Sequence, residues 1–166
     1  MNKRNLLIVG MGQYGFVARE IAVAMNCFSK IDFLDDNHPD AIGKMADIEA
    51  LSQQYDCAVV AIGAAEIRCR CMKDVAQYIP LISLVHPMSY ISPSAQIASG
   101  CIVEPMAVIH TEVVVAEGCI IGAGAVVNHN SQLQIGCHID CNATVPARAN
   151  VPAHTKVAVA QVYAEA

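Results

Sequence analysis

Tryptophan is absent from this chain of 166 residues, and Phe and Tyr bring the aromatic share to only 5%. A core closed by large flat rings is therefore excluded. Aliphatic and small side chains must fill the interior instead, and hydrophobic residues are plentiful at 55%. Charge is scarce as well, at 15% of residues with a net of −5. Beyond residue 87 the only fixed cations are Arg148 and Lys156. Without clustered Lys and Arg there is no footprint for a nucleic acid, and none is expected as a partner. Long apolar runs are also missing. The start of the chain carries two basic residues and a short apolar run before Gly10, too little for a signal peptide or a membrane span. A cytoplasmic protein with no membrane partner is expected, its eight cysteines reduced thiols. They are badly spaced for a metal. Cys69 and Cys71 point to different faces of a helix, and Cys137 and Cys141 diverge between a strand and a corner. No metal is expected.

What the chain does have is a strict period of six. Ile91, Ile97, Val103, Ile109, Val115, Ile121, Val127, Leu133, Ile139, Val145, Val151 and Val157 form one unbroken aliphatic series. The residue two before each is small or modest in size. Helices repeat near 3.6 and strands at 2, so six fits neither; it fits a hexapeptide β-helix, where a short strand alternates with a corner. Three sides close a coil of 18 residues. Gly100-Cys101, Gly118-Cys119 and Gly136-Cys137 recur at that interval, which stacks the cysteines in one interior column. Gly100, Gly118, Gly124 and Gly136 take the third corner position, where positive φ suits glycine. About four coils result.

Before the hexads, strands at 5–9, 31–34, 57–62 and 80–85 alternate with helices at 16–25, 46–54 and 66–78. That order argues for a small parallel sheet with Rossmann-like winding. The fold class is thus α/β plus all-β: a Rossmann-like domain over residues 1–86, then a left-handed parallel β-helix over 87–166. Gly10, Gly12, Gln13, Tyr14 and Gly15 follow the first strand and open a helix, the context in which a glycine-rich loop cradles phosphate. Asp35 and Asp36 close the second strand, where carboxylates can take ribose hydroxyls. Four strands are too few to cover a dinucleotide, so a single nucleotide or nucleotide sugar fits better than NAD. The competing reading is that the glycines only make a tight turn and let the helix pack closely.

This combination resembles the bacterial sugar acyltransferases, the sialic-acid O-acetyltransferases and UDP-4-amino-sugar N-acetyltransferases. The resemblance spans nearly the whole chain. It rests on residues 10–15, Phe33-Leu34-Asp35-Asp36, Ala61-Ile62-Gly63 with Glu66-Ile67-Arg68, His86-Pro87, Asn128-His129 and Gly136-Cys137-His138-Ile139. It implies an acetyl-CoA-dependent transferase acting on an amine or hydroxyl of a sugar. It also implies a homotrimer with active sites between neighbouring coils. The nucleotide sugar would lie on the N-terminal unit, with Gly63 and Arg68 completing the substrate set begun by the loop and the two aspartates. His129 matches the family's general base, a task suited to an imidazole near neutral pH. His138, Gly136 and Arg148 are assigned to acetyl-CoA. Both histidines point away from the coil interior in the hexad frame. Asn130 stands where the family usually has a carboxylate beside the base. One coil back, Glu112 shares that corner and is expected to supply the charge, with Glu112→Gln lowering the rate at least tenfold. A non-catalytic trimeric scaffold that binds nucleotide sugar without CoA is the alternative reading.

Overall fold

Residues 6–9 form an uninterrupted aliphatic run, and successive strand residues face opposite ways. Such a run must be covered on both sides, as in parallel sheets flanked by helices. The computed structural model, which describes residues 3–164, shows that outcome. Strand β1 (Arg4–Val9) lies between β2 (Phe28–Leu34) and β3 (Cys57–Val60), all parallel. Leu6 and Ile8 pack beneath helix α1 (Gln13–Met25) with Ala18, Ile21 and Ala22. Leu7 and Val9 face the other way, toward α2 (Ile48–Ser52) and α3 (Ala65–Val75), with Ile48, Met72 and Val75. Asn26 ends α1 at φ 51, the left-handed stop that asparagine tolerates. A 3₁₀ turn, Met45–Asp47, starts the second helical segment.

The expected fourth strand at 80–85 divides in two. Leu81 makes one isolated bridge to Ala58. Leu84 and Val85 instead form β4, paired with β7 (Ile102–Val103) in the coils. Val85 lies six before Ile91, so it is the first member of the aliphatic series, and Tyr163 continues that phase at the far end; both pack against the coil interior.

The hexads wind into three parallel faces. The first stacks β4, β7, β10 (Ile120–Ile121), β13 (His138–Ile139) and β16 (Lys156–Val157). The second stacks β5 (Tyr90–Ile91), β8 (Val108–Ile109), β11 (Val126–Val127) and β14 (Thr144–Val145). The third stacks β6 (Gln96–Ile97), β9 (Val114–Val115), β12 (Gln132–Leu133) and β15 (Asn150–Val151). Every rung pairs residues 18 apart. Inside, the aliphatic series and the small residues two before it form one buried column. Residue 100 and every sixth residue up to 160 has positive φ, yet only Gly100, Gly118, Gly124 and Gly136 among them are glycine. From residue 100 on, the coil corners therefore turn through the left-handed region whether or not glycine occupies them.

The N-terminal unit sits on the first face. Leu84 and Ile102 from that face share a core cluster with Leu6 and Ile21. Helix α3 lies along the corner between the third and first faces, where the glycine column makes room. A Cβ on Gly100 would come 2.4 Å from Met72 Cε, one on Gly118 2.7 Å from Met72 Sδ, and one on Gly136 2.7 Å from Cys69 Sγ.

Candidate functional site

Three neighbourhoods carry the chemistry. The first is a cleft of about 270 Å³ at the carboxyl ends of β1 and β2, walled by Ile62, Met45 and Ile67 and edged by Asp36 and Arg70. The glycine loop divides in its roles. Gly10 has φ 103 and a Cβ there would meet Ala61 O at 3.0 Å; one on Gly15 would fall 2.2 Å from Gly10 O. These two glycines serve the turn and the close seating of α1. Gly12 has open space above it and caps α1, with Gln13 exposed beside it. The free amides of that helix start are the groups suited to phosphate.

Asp35 lines the same cleft, with its carboxylate already engaged by the main chain. One carboxylate oxygen accepts from Met11 N at 2.7 Å, and the other accepts from Asn37 N at 2.8 Å and His38 N at 3.1 Å. The amide of Met11 holds the carboxyl below its ordinary range, with the other two amides adding to it against the cost of desolvation. Asp35 thus pins the glycine loop to the loop after β2, and it lines the cleft together with Asp36. One Asp36 oxygen accepts from Met45 N at 2.8 Å.

The second neighbourhood is the seam between the N-terminal unit and the first coil face. His138 projects from β13, but the N-terminal unit covers it to 16% side-chain exposure. Its ring centroid lies 6.5 Å from that of Tyr14, at the start of α1. Burial pushes its imidazole below the ordinary value, and Lys156 and Arg68 add to that while Asp140 opposes it. Asp140 holds Lys156 at 3.0 Å. Among the described residues the Tyr14 hydroxyl is buried without a hydrogen-bond partner. It faces Glu104, a carboxylate 9% exposed that accepts from Ala123 N at 3.1 Å. Desolvation raises both acids above their ordinary range. Nothing in the hexad pattern pointed to Glu104, because its corner shows its partner only once the two units are packed together.

Two residues expected at ligands are buried in this seam. Arg68 is fully buried, and four of its five N–H bonds go to backbone carbonyls of Ile62, Gly63, Gly118 and Gly136. Gly136 lies under α3 with its carbonyl taken by Arg68, and its Cα hydrogens face Cys69 and His154. Gly63 is exposed, with open space at its Cα.

The third neighbourhood is the corner between the second and third faces. There His129 Nδ1 lies 2.9 Å from Asn130 Oδ1. A carbonyl oxygen only accepts, so Nδ1 is the donor and Nε2 keeps its free pair. The main chain braces the same residue. Asn128 Oδ1 accepts from His129 N at 2.9 Å, and His129 O accepts from Arg148 N at 3.0 Å. Asn130 reaches this contact from φ 59, a backbone state asparagine enters more readily than most residues. Glu112 and Arg148, both exposed, occupy the same corner one coil before and one coil after Asn130, as the 18-residue repeat requires. His129 and His138 are not brought together. The first caps the corner opposite the face that bears the second.

Residues 5–75 match the PglD N-terminal domain family. The chain superposes over 96% of its length on 82% of the acetyltransferase domain of PglB from Neisseria gonorrhoeae FA1090 in complex with acetyl coenzyme A, at 29% identity and a TM-score of 0.91. PerB from Caulobacter crescentus, in complex with CoA and GDP-perosamine, shares the fold at 17% identity and a TM-score of 0.62, covering 96% of this chain and 94% of that one. WeeI from Acinetobacter baumannii AYE shares it at 12% identity and 0.58, covering 95% and 87%. No curated protein sequence gives a significant match. By fold and domain composition the chain is an acyltransferase of the hexapeptide-repeat class. Its fold and domain order are those of the hexapeptide-repeat sugar acetyltransferases it resembles, with residues 5–75 matching a PglD N-terminal domain ahead of the coils. Among the described residues no group of three or more His, Cys, Asp or Glu is placed to hold a metal ion, and no helix is long and apolar enough to cross a membrane.

Proposed function

We propose that the protein transfers the acetyl group of acetyl-CoA to an amine or hydroxyl of a nucleotide-linked sugar. His129 Nε2 would take the acceptor's proton as the new bond to the acetyl carbon forms, then return it to the leaving thiolate. The observation that carries this reading is the 2.9 Å contact that commits His129 Nδ1 to Asn130 and leaves Nε2 basic. Asn130 does the orienting work of the family's carboxylate without its charge, and Glu112 adds a negative field from the neighbouring coil. The nucleotide would lie in the cleft edged by Asp36 and Arg70, its phosphates over Gly12 and Gln13, with the sugar directed toward Tyr14 and His138.

The placement of the two histidines supports a site completed by a second copy. The outward residues of the third face are mostly polar, Gln96, Val114, Gln132 and Asn150, whereas those of the second are Tyr90, Val108, Val126 and Thr144. Met88, Tyr90 and Met106 at the start of the second face are more than half exposed. An apolar face of this kind favours burial against another copy. Its far edge is the corner bearing His129, so a neighbour docked there receives the base beside its own His138. Arg148 and Lys156 are the coil cations available for the phosphates of CoA, and Asp140 already engages Lys156. That shortage favours the second reading, a trimeric scaffold that binds nucleotide sugar alone. Titration calorimetry with UDP, GDP and acetyl-CoA separates the two. Binding of acetyl-CoA together with one nucleotide is the expected result; a nucleotide binding alone supports the scaffold.

A further inference from the structure

We propose that Arg68 is a positioning residue that locks the nucleotide cleft to the coil strand bearing His138. The inference rests on the acetyl-transfer reading above. Nη1 donates to Ile62 O at 2.7 Å and to Gly63 O at 2.9 Å, and Ile62 is a wall of the cleft. Nε donates to Gly118 O at 2.7 Å and Nη2 to Gly136 O at 2.9 Å. Gly136 stands two residues before His138 on the way into β13. One rigid guanidinium therefore spans from the wall of the nucleotide site to the root of the acetyl-site histidine.

The chemistry of the group favours this role over filling space. Arg68 is 0% exposed, and no ion pair joins it to a carboxylate among the described residues. A cation buried without a counter-charge is costly to fold around. An apolar side chain would fill the same volume more cheaply, but it could not join four carbonyls. Lysine could not replace it either, since its donors radiate from one point whereas the guanidinium presents a planar fork. Gly118 and Gly136, the two coil glycines whose carbonyls it uses, lie in the column that admits α3, so the glycines bring the helix close and the arginine sets its register along the coils. Rates of group transfer fall by roughly a hundredfold for misplacements near 1 Å, which is the scale of play such a link removes.

The test uses the full chain with Arg68→Ala and Arg68→Lys. Both variants are expected to bind UDP or GDP within about threefold of the unchanged protein, while kcat for acetyl transfer falls about a hundredfold at little-changed KM. Guanidinium ion at about 10 mM, a concentration set by weak mass-action binding, should restore at least a tenth of the lost rate to the Ala variant but not to the Lys variant. Loss of nucleotide affinity in step with kcat, with no rescue, would reduce Arg68 to a folding residue and overturn the proposal; so would an unchanged kcat. A calorimetric melt stands apart from acetyl transfer. The unchanged protein should melt in one transition and both variants in two, the N-terminal unit first. A single transition for the variants contradicts the lock even if the chain transfers no acetyl group. Should Arg68→Ala not fold, the melt and the nucleotide affinity of Arg68→Lys decide the matter.

Discussion

At the scale of single residues, a base is defined by what its other nitrogen does. With His129 Nδ1 given to Asn130 Oδ1, His129→Ala should lower acetyl transfer by about 10²–10⁴-fold, the usual worth of general base catalysis. Asn130→Ala frees the ring and should cost about tenfold, while Asn130→Asp should keep the rate. Among the described residues Glu112 has no comparable side-chain contact, so any effect it has would be carried by charge. Glu112→Gln should lower the rate by at least about tenfold; an unchanged rate would show that Glu112 plays no part. His138 makes a different prediction. Burial holds its folded-state pKa below 6.5, so the unfolded chain binds more protons as pH falls through that value. Stability is therefore full above about pH 6.5 and declines below it. Urea midpoints near pH 7.5 and 5.5 should differ in the unchanged protein and differ less in His138→Gln. Single residues were only partly legible from the sequence. The hexad phase aims both histidines away from the coil interior. It cannot show that His138 is roofed by Tyr14 or that Asp35 is already satisfied by three amides, because those contacts join segments far apart in the chain.

At the scale of elements, glycine at the corners has two explanations that the structure separates. Seven corner residues between 106 and 160, Met106, Glu112, Asn130, Asn142, Arg148, His154 and Ala160, accept positive φ without being glycine. Conformation alone therefore does not demand Gly100, Gly118 or Gly136; the closeness of Met72 and Cys69 does. Gly118→Ala should cost about 2–4 kcal/mol, backbone strain plus overpacking against α3. Ala160→Gly, at an open corner, should be close to neutral, and thermal melts of the two variants check the contrast. The cysteine column has its own logic. Cys101, Cys119 and Cys137 donate to the carbonyls of Ala116, Gln134 and Pro152 at 3.1–3.2 Å, and Ser131 donates to Pro146 O at 2.7 Å. A small inward side chain with a donor satisfies a corner carbonyl 15 residues on. The strands of the coils were readable because their period is strict. The strand expected at 80–85 was not, since Leu84 and Val85 are as apolar as a sheet strand and only their pairing with β7 assigns them to the coils.

At the scale of the whole molecule, one apolar face, one covered face and one mostly polar face make the prism asymmetric. The covered face carries the N-terminal unit with its cleft and His138, and the opposite corner carries His129, the proposed base. Light scattering should accordingly report a trimer, and Val126→Glu on the second face should break it and abolish transfer while leaving each chain folded by circular dichroism. Titration calorimetry of the intact protein with acetyl-CoA tests most directly whether the protein takes acetyl-CoA as its donor. Saturable binding of one molecule per chain is expected. Absence of binding heat at every temperature tried, in protein that still binds UDP or GDP, would contradict it.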